Sequence, residues 1–521
     1  MVAIPVLFGA VFVVWPLLAV FQRSLGGTDL DRVVEIATRS ATRSVLWFTV
    51  WQAAVSVAAT LAVGLPVAHA LARYSFPGRG ALRALVVVPF VLPTVVVASA
   101  FSELFARVGL SARSVTAIVA AHVFFNVAVV VRVVGGVWAA ADRRPTEAAA
   151  ARGAGPWTVF RLVTLPRLAP VLAAASVLVF LFSFTSFGVI RILGGPEVAT
   201  METEIHRYAV RRIEFDVAAV LSLVQLVVVA ALAVVSAHYQ RRVTHAQRGR
   251  RRPLARPVRG LAQRAHLAAV LTVVVAVVVL PLVVLVEGSF RVDGGYGLAH
   301  YERLFTKGDL LPVSAAEALG RSLLFALLAA GVAVVVGVLA AVGVAGGGRA
   351  GAVLEALTLV PLGVSAVTLG FGYLLAFTVF DLRTSIWLVP LAHGVIGLPF
   401  VLASVVPTLR SIDPRLREAA SALGASPARV RRAVDWPLIR PAVATGAGFA
   451  AAVSIGEFGA TSFLARGAAS FTAPLAVFRL ISQPGAALRG QALALSVVIG
   501  LVVAVIAAVI EWRRPQGVTL L

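Results

Sequence analysis

The chain carries the sequence EAAAARGAGPWTVFRLVTLP at residues 147–166 and EAASALGASPARVRRAVDWP at residues 418–437. Both stretches begin with Glu-Ala-Ala, place a glycine six residues after the glutamate, and end on a proline nineteen residues after it. The separation of 271 residues also relates Asp142 to Asp413, which lie just before the two stretches. Because a gapless match at a long, fixed offset indicates a duplicated unit, the chain is predicted to contain two related halves.

Each copy is predicted to form two short helices joined by a turn. Asp413 is a good helix N-cap, and Gly153 and Gly424 stand where the first helix needs a residue that tolerates positive φ. Pro166 and Pro437 are expected to break the second helix. One such copy could be an amphipathic connector between membrane helices, but two copies at matched spacing favour a specific docking function.

This doubled pattern resembles the EAA loop of type I ABC importer permeases. Two copies in one long chain resemble the fused permeases of the ferric-iron and thiamine group, and the resemblance covers nearly the whole chain. Trp436 in place of leucine, and Ser426 where the first copy has Gly155, depart from the pattern without altering the helix-turn-helix logic. The coupling residues that the resemblance implies are Glu147, Ala148, Ala149, Gly153, Pro166, Glu418, Ala419, Ala420, Gly424 and Pro437.

The composition independently predicts a membrane protein. Hydrophobic residues make up 60% of the chain and charged residues 13%, outside the range of soluble domains. The absence of cysteine excludes disulfides and thiolate metal sites. The net charge of +23 is typical of arginine-rich cytoplasmic loops, so we expect the lipid bilayer rather than nucleic acid as a partner.

The predicted fold class is all-α, with twelve apolar spans that each exceed the approximately 20 residues needed to cross a bilayer core. Residues 240–264 carry nine arginines and no acidic residue, and are interpreted as a flexible linker between a first half, residues 1–239, and a second half, residues 265–521. The spans are predicted near residues 2–22, 44–72, 83–105, 114–140, 168–190, 216–237, 266–287, 320–345, 351–380, 385–409, 441–463 and 488–510.

The charge distribution predicts the orientation of the chain. By the positive-inside rule the arginine-rich linker lies in the cytoplasm. Six spans precede it, so both termini and both Glu-Ala-Ala stretches are predicted to be cytoplasmic too. Because six spans also separate the two stretches, the halves are predicted to form a parallel six-helix repeat, related by an axis along the membrane normal.

The sequence contains no recognisable catalytic or metal-binding pattern. The only lysine, Lys307, follows Thr306, so no Gly-Lys-Ser/Thr phosphate loop exists, and no His-Glu-x-x-His motif occurs. His122 and His393 are related by the same offset of 271, which favours equivalent helix-end packing or capping over a metal or proton role. We therefore expect no catalytic residue, no metal and no cofactor.

A second matched constellation follows each Glu-Ala-Ala stretch, with SFTSFG at residues 183–188 and SIGEFG at residues 454–459. Small and hydroxylated residues give close packing and polar contacts in an apolar setting. A carboxylate such as Glu457 in a span usually faces a cavity or a partner. It is expected to line the translocation pathway or, alternatively, to cap a helix break or pair with an arginine such as Arg132. The candidate pathway residues are Ser183, Ser186, Ser454 and Glu457.

The segments expected on the external side lie near residues 191–215, 288–319 and 464–487, and are too short for a domain; no hairpin is expected in them. The run from Leu193 to Asp216 resembles the external segment of thiamine-type permeases. Together with the group resemblance, this favours ferric iron or thiamine as the substrate.

The chain is accordingly interpreted as the permease subunit of an ABC importer in a bacterial plasma membrane. The resemblance implies a cytoplasmic ABC ATPase dimer that hydrolyses ATP, an extracytoplasmic substrate-binding protein, and one permease chain per complex. The alternative is an ion-coupled secondary transporter with twelve helices, which would need ionisable coupling residues in its spans. A membrane-embedded enzyme, the third class considered, lacks a nucleophile-base or metal set.

Overall fold

The computed structural model describes residues 2–512 except 27–28, 196–197, 248–254, 381 and 383–384, and the described part is almost entirely helical, as predicted. The first half contains eleven helices. They are α1 Ala3–Leu25, α2 Leu30–Thr38, α3 Ser40–Arg73, α4 Arg79–Val91, α5 Thr94–Arg107, α6 Val115–Ala140, α7 Arg144–Ala151, α8 Pro156–Phe184, α9 Gly188–Leu193, α10 Met201–His206 and α11 Phe215–Gln247.

The second half repeats this order with small additions. Its helices are α12 Leu261–Phe290, α13 Ala299–Glu302, α14 Ala315–Gly346, α15 Gly348–Gly363, α16 Ala366–Ala376, α17 Leu388–Ser411, α18 Pro414–Ala422, α19 Pro427–Gly456, α20 Thr461–Leu464, α21 Ala473–Ile481 and α22 Ala486–Trp512. Short helical turns cover Arg207–Arg212, Phe377–Phe380 and Ala468–Ser470. Strand β1, Tyr74–Ser75, pairs in parallel with β2, Arg256–Pro257; β3, Arg291–Val292, pairs antiparallel with β4, Gly295–Tyr296.

Ten described helices are long and apolar enough to cross a membrane, and the two remaining predicted spans are bent. The predicted spans near 83–105 and 351–380 are each a bent helix pair, in which α4 meets α5 at 106° and α15 meets α16 at 102°. At the first bend Leu92 precedes a proline and takes an extended ψ of 141°, since the proline ring disfavours the helical conformation there. At the second, Ser365 starts a new helix by accepting the N–H of Thr368 at 2.9 Å.

The prediction that Pro166 and Pro437 break their helices is wrong. Helices α8 and α19 continue through them, to Phe184 and Gly456. The residue before each proline donates its N–H to a carbonyl five residues back, Leu165 to Phe160 and Trp436 to Arg431, which makes one widened π turn. Helices α1 and α12 show the same turn before a proline. The wider turn accommodates a residue that cannot donate, so the helix continues instead of ending.

In each half, a glycine allows two helices to approach closely at an equivalent place. A Cβ built on Gly64 of α3 would lie 2.9 Å from the side chain of Val130 of α6, and one built on Gly337 of α14 would lie 2.8 Å from Val401 of α17. A larger residue at either glycine would separate the helices. The duplication seen in the sequence is therefore repeated in the packing.

The halves are interwoven rather than side by side. Helix α1 packs against α16 of the second half, where the Tyr373 hydroxyl donates to the carbonyl of Phe12 at 3.0 Å. Helix α12 packs against α5 of the first half, where Arg107 forms an ion pair with Glu287. The first helix of each half thus lies on the bent helix pair of the other half.

One of the segments expected on the external side departs from the sequence-based expectation. Strands β3 and β4 form a small hairpin within residues 288–319, where no hairpin was predicted. Its turn residues Asp293 and Gly294 both have positive φ, 41° and 85°. An Asp-Gly pair is a recognised signal for such a tight hairpin turn, so this element could have been predicted from the sequence.

Candidate functional site

The two Glu-Ala-Ala stretches form matched, solvent-facing helical loops. Helices α7 and α18 contain no buried residue. The predicted N-cap Asp413 accepts the N–H of Arg415 at 3.0 Å, and Asp142, which precedes the N-cap Arg143, accepts the N–H of Arg144 at the same distance. Each helix ends at a glycine with positive φ. We call residues 142–159 and 413–430 the first and second coupling loops.

The terminal glycines confirm the predicted turns. Gly153 has φ of 84° and Gly424 has φ of 81°, a conformation that glycine adopts without the steric cost paid by other residues. Each turn redirects the chain into the long helix that follows, α8 or α19. The helix-turn-helix geometry predicted from the sequence is therefore present in both loops.

The two coupling-loop glutamates have different surroundings. Glu147 accepts a hydrogen bond of 2.6 Å from Arg256 of strand β2, whereas no residue that the structure describes lies within ion-pair distance of Glu418. Strand β2 is held beside the loop by its pairing with β1. Within the predicted linker, residues 256–257 thus form a strand pair, while residues 248–254 lie outside the described part of the chain.

A cavity of about 370 Å³ lies between the halves, where α8 and α19 end. Of the predicted pathway residues, Ser186 and Glu457 line it, whereas Ser183 and Ser454 are buried behind the wall. Other lining residues come from both bent helix pairs and from α6, and include Thr94, His122, Asn126 and Val367. The structure therefore places the two matched helix breaks around one shared space.

Glu457 occupies the break after α19 as a helix cap. Its carboxylate accepts the backbone N–H groups of Ala460 at 2.8 Å and Thr461 at 2.9 Å, and the Thr461 hydroxyl at 2.7 Å. His393 Nε2 lies 3.1 Å from the same carboxylate. The structure thus pairs Glu457 with His393 and Thr461 rather than with Arg132, and the capping alternative describes its contacts.

The repeat-related histidines, His122 and His393, have different hydrogen-bond partners. His393 reaches Ser454 through Nδ1 at 2.8 Å, and Thr461 and Glu457 through Nε2. His122 reaches Ser56 through Nδ1 at 2.9 Å, but its Nε2 has no hydrogen-bond partner among the described residues. Both lie buried inside long helices and bridge neighbouring helices, so they pack at equivalent places as expected but do not cap helix ends. Asn126, which donates to Ser183 at 3.4 Å, was not predicted from the sequence.

Two aromatic rings related by the repeat close one side of the cavity. Phe187 and Phe458 are 271 residues apart, and their rings stack with centroids 5.2 Å apart. His206 packs on Phe187 and on Phe463, with centroids 5.3 and 5.1 Å away. The signal in the sequence was the Phe-Gly pair present at the same place in both constellations. This pair is the point where the two halves meet across the cavity.

Comparison with known proteins identifies relatives of both halves. A family model described as "Binding-protein-dependent transport system inner membrane component" matches residues 60–292 and 333–513, most of the chain. A probable ABC transporter permease protein of Sinorhizobium fredii, y4fN, is 26% identical over 87% of this chain and 85% of its own length.

Other relatives match over shorter stretches of this chain. The molybdenum transport system permease protein ModB of Mycobacterium bovis is 34% identical over 45% of this chain and 91% of its own length. The thiamine transport system permease protein ThiP of Brucella abortus is 31% identical over 31% of this chain and 32% of its own length.

Proposed function

Because the chain belongs to the family of binding-protein-dependent transport system inner membrane components, we propose that it forms the complete membrane pathway of an importer. It is an ABC importer permease subunit and a multi-pass protein of the inner membrane. This membership decides against the ion-coupled secondary transporter. The observation that carries the proposal is that two long helices, each beginning at one of two coupling loops in the same chain, end at one cavity between the halves.

We assign the two coupling loops to an ABC ATPase dimer, one loop to each subunit. Both loops are solvent-facing and have matched caps and turns, as expected for two equal docking elements. A single chain that supplies both loops needs no second permease subunit. A substrate-binding protein on the opposite face would deliver the solute, and ATP hydrolysis would take place on the ATPase alone.

The proposed motion is a two-state movement of the halves. Movement of the coupling loops would be transmitted through α8 and α19, which begin at the loops and end at the cavity. The stacked Phe187 and Phe458 would then separate and open the cavity on the side away from the loops. Because each half's first helix packs on the other half, the motion is a rearrangement of two interwoven bodies.

The substrate is proposed to be a small polar solute, with ferric iron or thiamine as the candidates from the resemblance. The relatives are named for transport of different solutes, molybdenum and thiamine, so the family fixes no single one. The carboxylate of Glu457 is already occupied by helix-capping donors, which weakens the argument that it selects a cation. The preference for iron or thiamine therefore rests on the external segment, in which residues 196–197 lie outside the described part.

A cysteine at Ser186 tests the pathway, because the natural chain has no cysteine and Ser186 lines the cavity. We expect Ser186→Cys to react with a water-soluble thiol reagent, at a rate that changes with nucleotide only when the ATPase partner is present. Ser99→Cys, fully buried in α5 and away from the cavity lining, is the matched control and should stay unreactive. Equal labelling of Ser186→Cys in every nucleotide state would contradict the proposed pathway.

A pair of protease sites tests the orientation. Gly260 and Gly294 are both exposed, and both have positive φ, 83° and 85°, in segments that connect helices. Because α12 separates them, we expect a site inserted at Gly260 to be cut only from the cytoplasmic side and one at Gly294 only from outside. Cutting at Gly260 from outside would reverse the orientation and remove the coupling loops from the ATPase.

A further inference from the structure

A cavity of about 1270 Å³ lies beside the first coupling loop. The end of α3, the end of α6, the start of α8 and the segment after the arginine-rich linker form its walls. Six basic side chains line it: His69, Arg73, Arg143, Arg256, Arg259 and His266. Glu147 is the only acidic residue in the described lining, so the cavity has an excess of positive charge.

Two arginines of this cavity, Arg73 and Arg143, form no ion pair within the described part of the chain. Glu147 pairs with Arg256, and no carboxylate that the structure describes pairs with Arg73 or Arg143. The Nε of Arg143 is buried and has no hydrogen-bond partner in the described part. Burial lowers the pKa of Arg143, and the neighbouring Arg256 lowers it further. Converging guanidinium groups with free donors are an arrangement suited to a bound anion, since arginine forms paired hydrogen bonds with phosphate.

The equivalent cavity of the second half is also lined by more arginines than acids, but its basic side chains come from different positions. It measures about 1130 Å³, and its Arg417 is paired with Asp435 at 2.8 Å, while Arg410 donates to a backbone carbonyl. On the helices that place Gly64 opposite Gly337, the positions equivalent to His69 and Arg73 hold Val342 and Gly346, which line the second cavity. The two basic side chains that α3 contributes to the first cavity therefore have no basic counterpart on α14.

The remaining wall of the first cavity is apolar. Leu65, Trp138 and Phe160 line it, and Leu65 and Trp138 belong to membrane-spanning helices. A soluble phosphate would satisfy the arginines and leave this wall uncovered, whereas a phospholipid supplies a phosphate together with acyl chains. Basic pockets between transmembrane helices on the cytoplasmic side are suited to such headgroups.

We propose that this cavity binds a phosphate-bearing anion, held by Arg73 and Arg143, and that its source is the headgroup of an anionic phospholipid. The site adjoins the Glu147–Arg256 ion pair, so a bound phosphate would compete with Glu147 for Arg256. Occupation would thereby weaken the attachment of the linker segment to the first coupling loop. This role is separate from solute transport and does not depend on the substrate.

The test uses the purified full-length chain and phosphatidylglycerol, phosphatidylcholine or inorganic phosphate as probes. We expect phosphatidylglycerol to raise the unfolding temperature and to remain bound in native mass spectrometry, with phosphatidylcholine much weaker. The double variant Arg73→Gln, Arg143→Gln should lose about tenfold in phosphatidylglycerol affinity for each arginine removed. Arg431→Gln with Arg432→Gln, in the second cavity, is the matched control and should keep the wild-type response. Arg73→Lys with Arg143→Lys keeps the charge and should retain part of the lipid preference.

The other outcomes are equally specific. Equal stabilisation by inorganic phosphate, abolished by the same double variant, would make the ligand a soluble phosphate and overturn the lipid source. An unchanged lipid response in the double variant would overturn the site. If the double variant loses ATPase binding in the absence of lipid while its lipid response is unchanged, the arginines belong to the ATPase interface and the proposal is wrong.

Discussion

Replacement of both coupling-loop glutamates, Glu147→Ala with Glu418→Ala, is expected to lower solute uptake by about a hundredfold or more without unfolding the protein. Both side chains are exposed on helices that bury nothing within the chain, so the fold has little need of them. A hydrogen bond to a charged group contributes about 1.5–3 kcal/mol, and two such contacts to an ATPase dimer would account for a loss of this size. Uptake and permease-stimulated ATPase activity are the measurements.

The two single variants, Glu147→Ala and Glu418→Ala, should differ in their effect on ATPase stimulation. Arg256 already holds Glu147, so the ATPase must displace an ion pair at the first loop but not at the second. We therefore expect Glu418→Ala to reduce ATPase stimulation more than Glu147→Ala does. Glu35→Ala is a suitable control, because Glu35 is exposed and paired with Arg39 on a helix that belongs to neither loop. Unchanged uptake and unchanged stimulation in the double variant would contradict the role of both loops.

The features predicted correctly from the sequence are those that local chemistry determines. Asp413 caps its helix because its carboxylate reaches an N–H two residues ahead, and Gly153 adopts positive φ because the turn requires it. These rules act over a few residues, so a single stretch contains the information. The duplication and the apolar spans were likewise visible as patterns of spacing and composition.

The features that were missed depend on partners far away in the chain or on small changes of geometry. Proline alone does not say whether a helix ends or continues through a widened turn, and Pro166 does the latter. The pairing of Arg256 with Glu147 joins residues 109 apart, and the stacking of Phe187 on Phe458 joins residues 271 apart. The repeat indicates candidates for such contacts, but tertiary packing selects which of them form.

Glu457 both lines the cavity and caps a helix, so its replacement should have a large effect on the stability of the fold. We expect Glu457→Ala to lower the free energy of unfolding by about 3–5 kcal/mol, because it leaves two buried N–H groups and His393 without their shared acceptor. Glu457→Gln should lower the free energy of unfolding by less, because its amide oxygen still accepts a hydrogen bond. Some loss remains, since its amide N–H₂ then faces other donors. Denaturant unfolding in detergent measures both losses.

Ser186→Ala is the control for this prediction, because Ser186 holds the equivalent position in the first half and lines the same cavity. No hydrogen bond made by Ser186 is found in the described structure, so loss of its hydroxyl should lower the free energy of unfolding by less than about 1 kcal/mol. If capping is the whole role of Glu457, the folded fraction of Glu457→Gln should transport at a rate within about twofold of wild type, since the charge then acts on the helix break and not on the solute. A stable Glu457→Gln protein with altered rate or selectivity would instead show that the carboxylate acts on the solute, and the cap would then be secondary.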